Sequence, residues 1–341
     1  MSLQQEISKI KAGNLAPIYL VLGEERYLSD MFKQALLDVI VKTEDDELNA
    51  ASFDMKETTL AYALEEANTI PFFGEYRLVG VENPFFLTGE KNKSGIEHNT
   101  DELVTYLEEP SLSTVLVFYA PYEKLDERKK IVKLLKKKAT LIDVSKMEER
   151  DVKNYTQQVI KNEGYEISPE AFELFLHLTD MELSKIMGEL TKIFLFASET
   201  KQITKDMVEN LVPKSLEHNI FAMINYVVAG QSDKALMLYK DLLLQGEETI
   251  KINSILIGQF RLLLQLKIMQ ASGYQQSNML DVIGGHPFRI KKGIQQVKAF
   301  DLEELKRILG ELVENDYKMK TGQLSKELVF ELFILKFGKA K

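Results

Sequence analysis

The chain has 341 residues, 45% of them hydrophobic and 28% charged, with a net charge of −9 and no cysteine. That length suffices for two or three domains with separate cores, and the missing cysteine excludes disulfides, thiolate zinc sites and cysteine nucleophiles together. No apolar run approaches a membrane span, the N-terminus MSLQQEISKIKAGN lacks a signal-peptide core, and four scattered histidines make a poor metal set, so a cytoplasmic protein without membrane or metal is expected.

The first informative stretch is PIYLVLGEERYLSDMFKQAL, Pro17 to Leu36. Ile18 to Leu22 form an apolar run, Gly23 breaks it, and Leu28, Met31, Phe32, Ala35 and Leu36 recur at helical spacing. Strand, tight loop and helix in that order open a βα unit, where a phosphate would lie against backbone N–H groups at the helix start. A phosphate loop needs a second glycine for close approach, a lysine for charge and a Ser/Thr hydroxyl for magnesium. This loop offers Gly23, Glu24, Glu25, Arg26 and Tyr27. Its two carboxylates would repel a triphosphate. The residues fit equally a nucleotide scaffold that lost its nucleotide and an ordinary βα turn.

Further strands are expected at Ala51–Asp54, Arg77–Glu82, Ser113–Ala120 and Thr140–Val144. Helices are expected through Leu60–Ala67, through Leu103–Leu107 and from Asp126 to about Lys138. Ala120 and Pro121 end the clearest strand, where an active P-loop ATPase would carry acidic residues. The alternation predicts a mainly parallel sheet with helices on both faces. Lys129, Lys130, Lys133, Lys136 and Lys137 share a helical face, which could touch phosphate but reads more readily as solvated beside Glu123, Asp126 and Glu127.

Beyond Val144 the period is helical throughout. Asp151–Glu163 forms a helix, Ser168–Pro169 caps the next, and Asp180 is expected to cap a third, whose stripe is Leu183, Ile186, Met187, Leu190 and Ile193. After Pro213 come longer apolar helices at Phe221–Val228, Asp233–Leu244 and Thr249–Met269. A helix capped by Asp301 with Glu304 follows, and then Leu328–Phe337. The fold class is thus α/β plus all-α, divided at 1–142, 143–212 and 213–341. These segments carry 17, 8 and 18 Lys/Arg against 24, 14 and 14 Asp/Glu, so only the last is basic.

The order of these parts resembles the delta-subunit family of the bacterial DNA polymerase III clamp loader. PIYLVLGEERYL is similar to that family's first strand and degenerate loop, and TIPFFGEYRLVGVE to its clamp-contacting segment. The stretch from His286-Pro287-Phe288 to Asp316…Lys320-Thr321-Gly322 is similar to its collar. The resemblance implies a degenerate AAA+ parallel-sheet domain, a helical lid and a helical collar. It also implies a subunit that opens the beta sliding clamp for loading onto primed DNA while sister subunits, tau/gamma and delta-prime, hydrolyse the ATP. It implies no cofactor and no catalytic residue in this chain.

The family's wedge of two adjacent apolar residues falls on Phe72 and Phe73, with Ile70, Glu75 and Arg77 as weaker rim candidates. Two phenylalanines between Pro71 and Gly74 make a compact anchor, each contributing about 2 kcal/mol on burial. The alternative is that either ring packs under the sheet and that Arg77 pairs with a neighbouring carboxylate. Arg289, Lys291, Lys292 and Lys298 are candidate phosphate contacts, and Tyr317 reads more readily as core than as a base-stacking residue. The apolar stripe Ile252–Met269 fits a subunit contact and an internal core equally. An active ATPase would require the missing lysine and acids. A helical adaptor outside replication would show no affinity for a sliding clamp.

Overall fold

The computed structural model describes residues 3–72, 74–89, 95–284 and 287–338. Five strands form one parallel sheet: β1 (Ile18–Leu22), β2 (Ala50–Asp54), β3 (Arg77–Glu82), β4 (Thr114–Ala120) and β5 (Thr140–Asp143), in the spatial order β2-β3-β4-β1-β5. In register, Ile18 of β1 lies opposite Leu116, and Arg77 of β3 opposite Thr114.

Successive side chains alternate between two buried faces. Ile18, Leu20, Val79, Val81, Leu116 and Phe118 pack under α3 (Leu60–Ala67), α4 (Thr100–Glu108) and α5 (Lys130–Lys138). Tyr19, Val21, Leu78, Val115, Val117 and Tyr119 pack under α1 (Leu3–Lys11) and α2 (Arg26–Ile40). Burial on both sides is why these strands read as continuous apolar runs rather than alternating ones. The chain leaves β1 towards one face and the neighbouring β4 towards the other. Their C-terminal loops diverge there, and the crevice between them is the topological switch point of the sheet.

The chain divides into two compact units, Met1–Ile167 with Met181–Ile203, and Ser168–Asp180 with Thr204–Lys341. In the first, α6 (Glu149–Asn162) and α8 (Leu183–Phe196) join the α2 side of the sheet, where Leu183 enters the core beside Phe32. A two-residue parallel pair, Glu166–Ile167 with Gln202–Ile203, completes it. In the second unit, α7 (Pro169–Leu178) packs on α9 (Lys205–Leu211). Asp180 does not cap α8 as expected. Its φ is +54°, its carboxylate meets His218 Nε2 at 3.0 Å, and Glu182 takes the cap position.

The rest of the second unit is helical: α10 (Leu216–Val228), α11 (Ser232–Leu244), α12 (Thr249–Ala271), α13 (Gln276–Ile283), α14 (Pro287–Gln296), α15 (Leu302–Lys320) and α16 (Lys326–Gly338). Asp301 caps α15 as expected, its Oδ1 accepting the Glu304 N–H at 2.7 Å. Helix α12 is apolar because it is enclosed on two sides. Ile252, Leu256, Phe260 and Leu263 enter the main core, while Leu262 and Leu266 pack against Met279 of α13 and Ile290 of α14. Contrary to the reading of the sequence, α12 is long and apolar enough to span a membrane by length and composition. Of its most apolar window 44% is buried within the protein, where its residues enter the two clusters just named. Helices α1, α13 and α14 and the 3-10 turn Glu44–Asn49 were not among the sequence expectations.

Candidate functional site

At the C-terminal edge of the sheet, the loop after β1 is closed by the protein itself. Gly23 has φ +140°, and a Cβ there would stand 2.2 Å from the carbonyl carbon of Val144, so only glycine lets the chain beyond β5 lie against this loop. The Gly23 N–H donates to the Ala120 carbonyl at 3.1 Å and the Glu25 N–H to the Val144 carbonyl at 2.9 Å. Glu25 caps α2. Its Oε1 accepts the Tyr27 N–H at 3.4 Å and the Ser184 hydroxyl at 3.0 Å. A carboxylate of the chain thus stands where a phosphate would meet the helix dipole.

The other charges of this edge are also paired internally: Glu24 with Lys146 at 3.2 Å and Arg26 with Asp30 at 3.5 Å. Glu82, at the end of β3, is held by Lys33 at 2.8 Å and by Ser52 at 3.0 Å. Beyond β4, Glu24, Glu123, Asp126 and Glu127 line a shallow cleft with Thr88 and Gly89. There the Arg128 side chain and backbone N–H bond Asp126 and hold its carboxyl down at about 2. Lys124 and Arg128 also line the cleft, so it offers a polyphosphate mixed charge with an excess of carboxylates.

The opposite, N-terminal edge differs. Between α3 and β3, residues 68–72 and 74–76 have no regular structure. Ile70 is 77% exposed, Phe72 is 65% exposed, and Glu75 is exposed. Phe73 lies outside the described residues. Beneath Phe72 are two buried polar side chains. Asn49, fully buried in the turn before β2, accepts the Phe72 N–H on Oδ1 at 2.7 Å. Arg77, 4% exposed, pairs through Nη2 with Glu66 and donates from Nη1 to the Leu48 carbonyl at 3.3 Å. Its guanidinium carbon is 6.0 Å from the centre of the Phe72 ring, within cation–π range.

This corrects the expected place of Arg77. As the first residue of β3 it turns inward to Glu66 on α3, the pairing weighed as its alternative, so it supports the segment from below and is not part of an exposed rim. Nothing in the sequence pointed to Asn49 or Glu66, because Asn49 acts across β2 and α3, Glu66 across the loop before β3, and no local pattern marks either.

Beyond the C-terminal ends of β2 and β3, His98 ties the chain before α4 to the start of α3. Its Nδ1 accepts the Leu60 N–H at 3.2 Å and its Nε2 faces the Met55 carbonyl at 3.0 Å, which fits the neutral Nε2–H tautomer. Burial pushes its pKa down, and the Met55 carbonyl opposes that only in part.

In the second unit, Arg289 and Lys291 on α14 and Lys298 in the turn after it are exposed, while Lys292 is half-buried on the side towards His177 of α7. The three open cations thus share one short helix and its exit. The side chains of Pro287 and Phe288, and His286 as a whole, lie outside what the structure describes. Tyr317, expected in the core, is 62% exposed on α15. The α12 stripe, for which two readings stood open, is internal core along the residues named above.

A family model described as DNA polymerase III, delta subunit, matches residues 19–145. A second, described as DNA polymerase III delta subunit, C-terminal domain, matches residues 217–337. The DNA polymerase III subunit delta of Bacillus subtilis (strain 168) is 41% identical over 330 residues, covering 97% of this chain and 95% of the relative. A probable DNA polymerase III subunit delta of Aquifex aeolicus (strain VF5) is 23% identical over 327 residues, covering 92% and 90%. The solved structure of the Bacillus subtilis DNA clamp loader delta protein matches with a TM-score of 0.75 at 40% identity over 99% of each chain. On sequence and on structure alike, the chain belongs to the DNA polymerase III delta-subunit family.

Proposed function

We propose that this chain binds and opens the beta sliding clamp for its loading onto primed DNA, and that it does so without hydrolysing ATP. The observation that carries the reading is the pair of large apolar side chains, Ile70 and Phe72, left open at the N-terminal edge over a buried polar support. Exposed apolar anchors on a held segment are what a protein interface hot spot requires. Phe73 completes the wedge on this reading, with Glu75 at its rim.

Opening the ring is differential binding. If the chain binds a clamp with a distorted interface more tightly than a closed one, its binding energy shifts that equilibrium, and no bond in the clamp need be broken. The closed loop after β1 supports the second half of the proposal: the Gly23, Glu25 and Tyr27 N–H groups and the Glu24 and Glu25 carboxylates already have partners in the chain. ATP binding and hydrolysis then belong to sister subunits, tau/gamma and delta-prime, in a cytoplasmic hetero-oligomer. The chain fits such an assembly as a sheet domain at 1–142, a lid at 143–212 and a collar at 213–341. Arg289, Lys291, Lys292 and Lys298 are the proposed phosphate contacts.

The test is equilibrium binding of the purified chain to the sliding clamp of the same organism, with wild type beside Phe72→Ala/Phe73→Ala. The expected result is tight binding by the wild type that is lost in the double variant at unchanged folding stability. Binding retained by the variant would move the contact elsewhere. Absence of binding by the folded wild type, alone and with its loader partners, would remove the proposal.

A further inference from the structure

Resting on the reading that Phe72 enters the clamp, we propose that Asn49 and Arg77 are positioning residues. They hold the main chain and the ring of Phe72 in the binding arrangement before the clamp arrives. Neither needs to touch the partner.

The segment that carries Phe72 belongs to no helix or strand, so its order must come from outside it. Asn49 supplies a tie from a distant part of the sequence. A fully buried side-chain amide is costly unless its polar atoms are used, and here Oδ1 is used on the one main-chain N–H that sets the direction of Phe72. Arg77 supplies the second tie. Glu66 and the Leu48 carbonyl fix its guanidinium, and the guanidinium in turn lies under the Phe72 ring, whose other surface is open.

Both ties lead back to one element. Leu48 and Asn49 are consecutive residues of the turn Glu44–Asn49, so this single turn holds Phe72 through its N–H and, through Arg77, through its ring. A segment held in this way loses less conformational freedom on binding than a free one, and affinity rises by that difference.

The experiment is a double-mutant cycle in clamp binding, with the full chain as wild type, Asn49→Ala, Phe72→Ala and Asn49→Ala/Phe72→Ala. Folding is checked by thermal melting, and exchange of the Phe72 amide hydrogen is measured in the free chain. The expected result is a roughly five- to tenfold weaker clamp affinity for Asn49→Ala with Phe72 present. In the Phe72→Ala background the further loss should be under about twofold, and the Phe72 amide should exchange faster in Asn49→Ala.

If Phe72→Ala weakens binding while Asn49→Ala binds as wild type, or if the two losses simply multiply, the positioning role is overturned and the clamp contact stands. If Phe72→Ala itself has no effect, the clamp contact fails and the positioning role fails with it. Should Asn49→Ala not fold, the same cycle with Arg77→Met decides: coupling to Phe72 supports the inference and independence overturns it.

Discussion

The two edges of the parallel sheet are built on opposite principles. At the C-terminal edge, where such sheets bind ligands, Gly23, Glu24, Glu25 and Arg26 find all the partners described above within the chain. At the N-terminal edge, Ile70 and Phe72 are left exposed while Asn49 Oδ1 and both Arg77 Nη atoms beneath Phe72 are buried and bonded. The sheet thus pairs the polar groups of its loop after β1 within the chain and leaves two large apolar side chains open at the other end of its strands, where clamp binding is proposed.

The contrast can be broken most severely at Gly23. Gly23→Ala forces a Cβ into the Val144 backbone at a φ that L-residues rarely adopt, and should cost roughly 3–4 kcal/mol of stability, measured by urea unfolding. A variant as stable as wild type would mean the loop is not closed as described. Phe72→Ala should do the reverse. Clamp affinity should fall about tenfold or more, near 2 kcal/mol, while stability stays within about 0.5 kcal/mol because the ring is mostly exposed. Equal losses of stability and affinity would identify Phe72 as a packing residue.

Glu25→Ala is a milder probe of the closed edge. It removes a long cap bond at 3.4 Å and the exposed Ser184 hydroxyl bond at 3.0 Å, so the loss should cost about 0.5–1 kcal/mol. The variant should still bind no ATP in a titration, since removing the carboxylate supplies neither lysine nor hydroxyl. Gain of ATP binding would show that the carboxylate alone closes the site.

The smallest effect is expected from His98, which packs beyond the C-terminal ends of β2 and β3. Its folded pKa lies below its unfolded one, so the unfolded chain takes up the proton first. Its contribution is therefore fully present above the unfolded value of about 6.5 and is lost as pH falls from there through the folded value. Melting temperature should fall between pH 7.5 and 5 less steeply in His98→Gln than in wild type, and parallel curves would contradict the assignment.

Much of this contrast was legible in the residues. The apolar runs at Ile18–Leu22 and Val115–Tyr119 announced a parallel sheet because strands buried on both faces have no polar side to alternate with. Gly23 followed by two glutamates announced a loop without phosphate chemistry. The Phe72–Phe73 pair stood out between Pro71 and Gly74. What the sequence did not disclose depends on distant pairing. Arg77 read as a weaker rim candidate beside the Phe72–Phe73 pair, with a carboxylate partner as the alternative, and only the fold identifies Glu66 and the Leu48 carbonyl as its partners. Asn49 carried no signal because its partner lies 23 positions away across a helix. Asp180 read as a cap from its local context, yet it pairs with His218 instead.

Hydrogen exchange of the full chain, with and without the sliding clamp, tests the contrast most directly because it reads both edges at once. The account predicts protection at residues 69–76 on clamp binding and no change at Gly23–Tyr27. Addition of ATP without the clamp should leave both unchanged. Clamp-induced protection confined to other segments, or ATP-induced protection at Gly23–Tyr27, would contradict it.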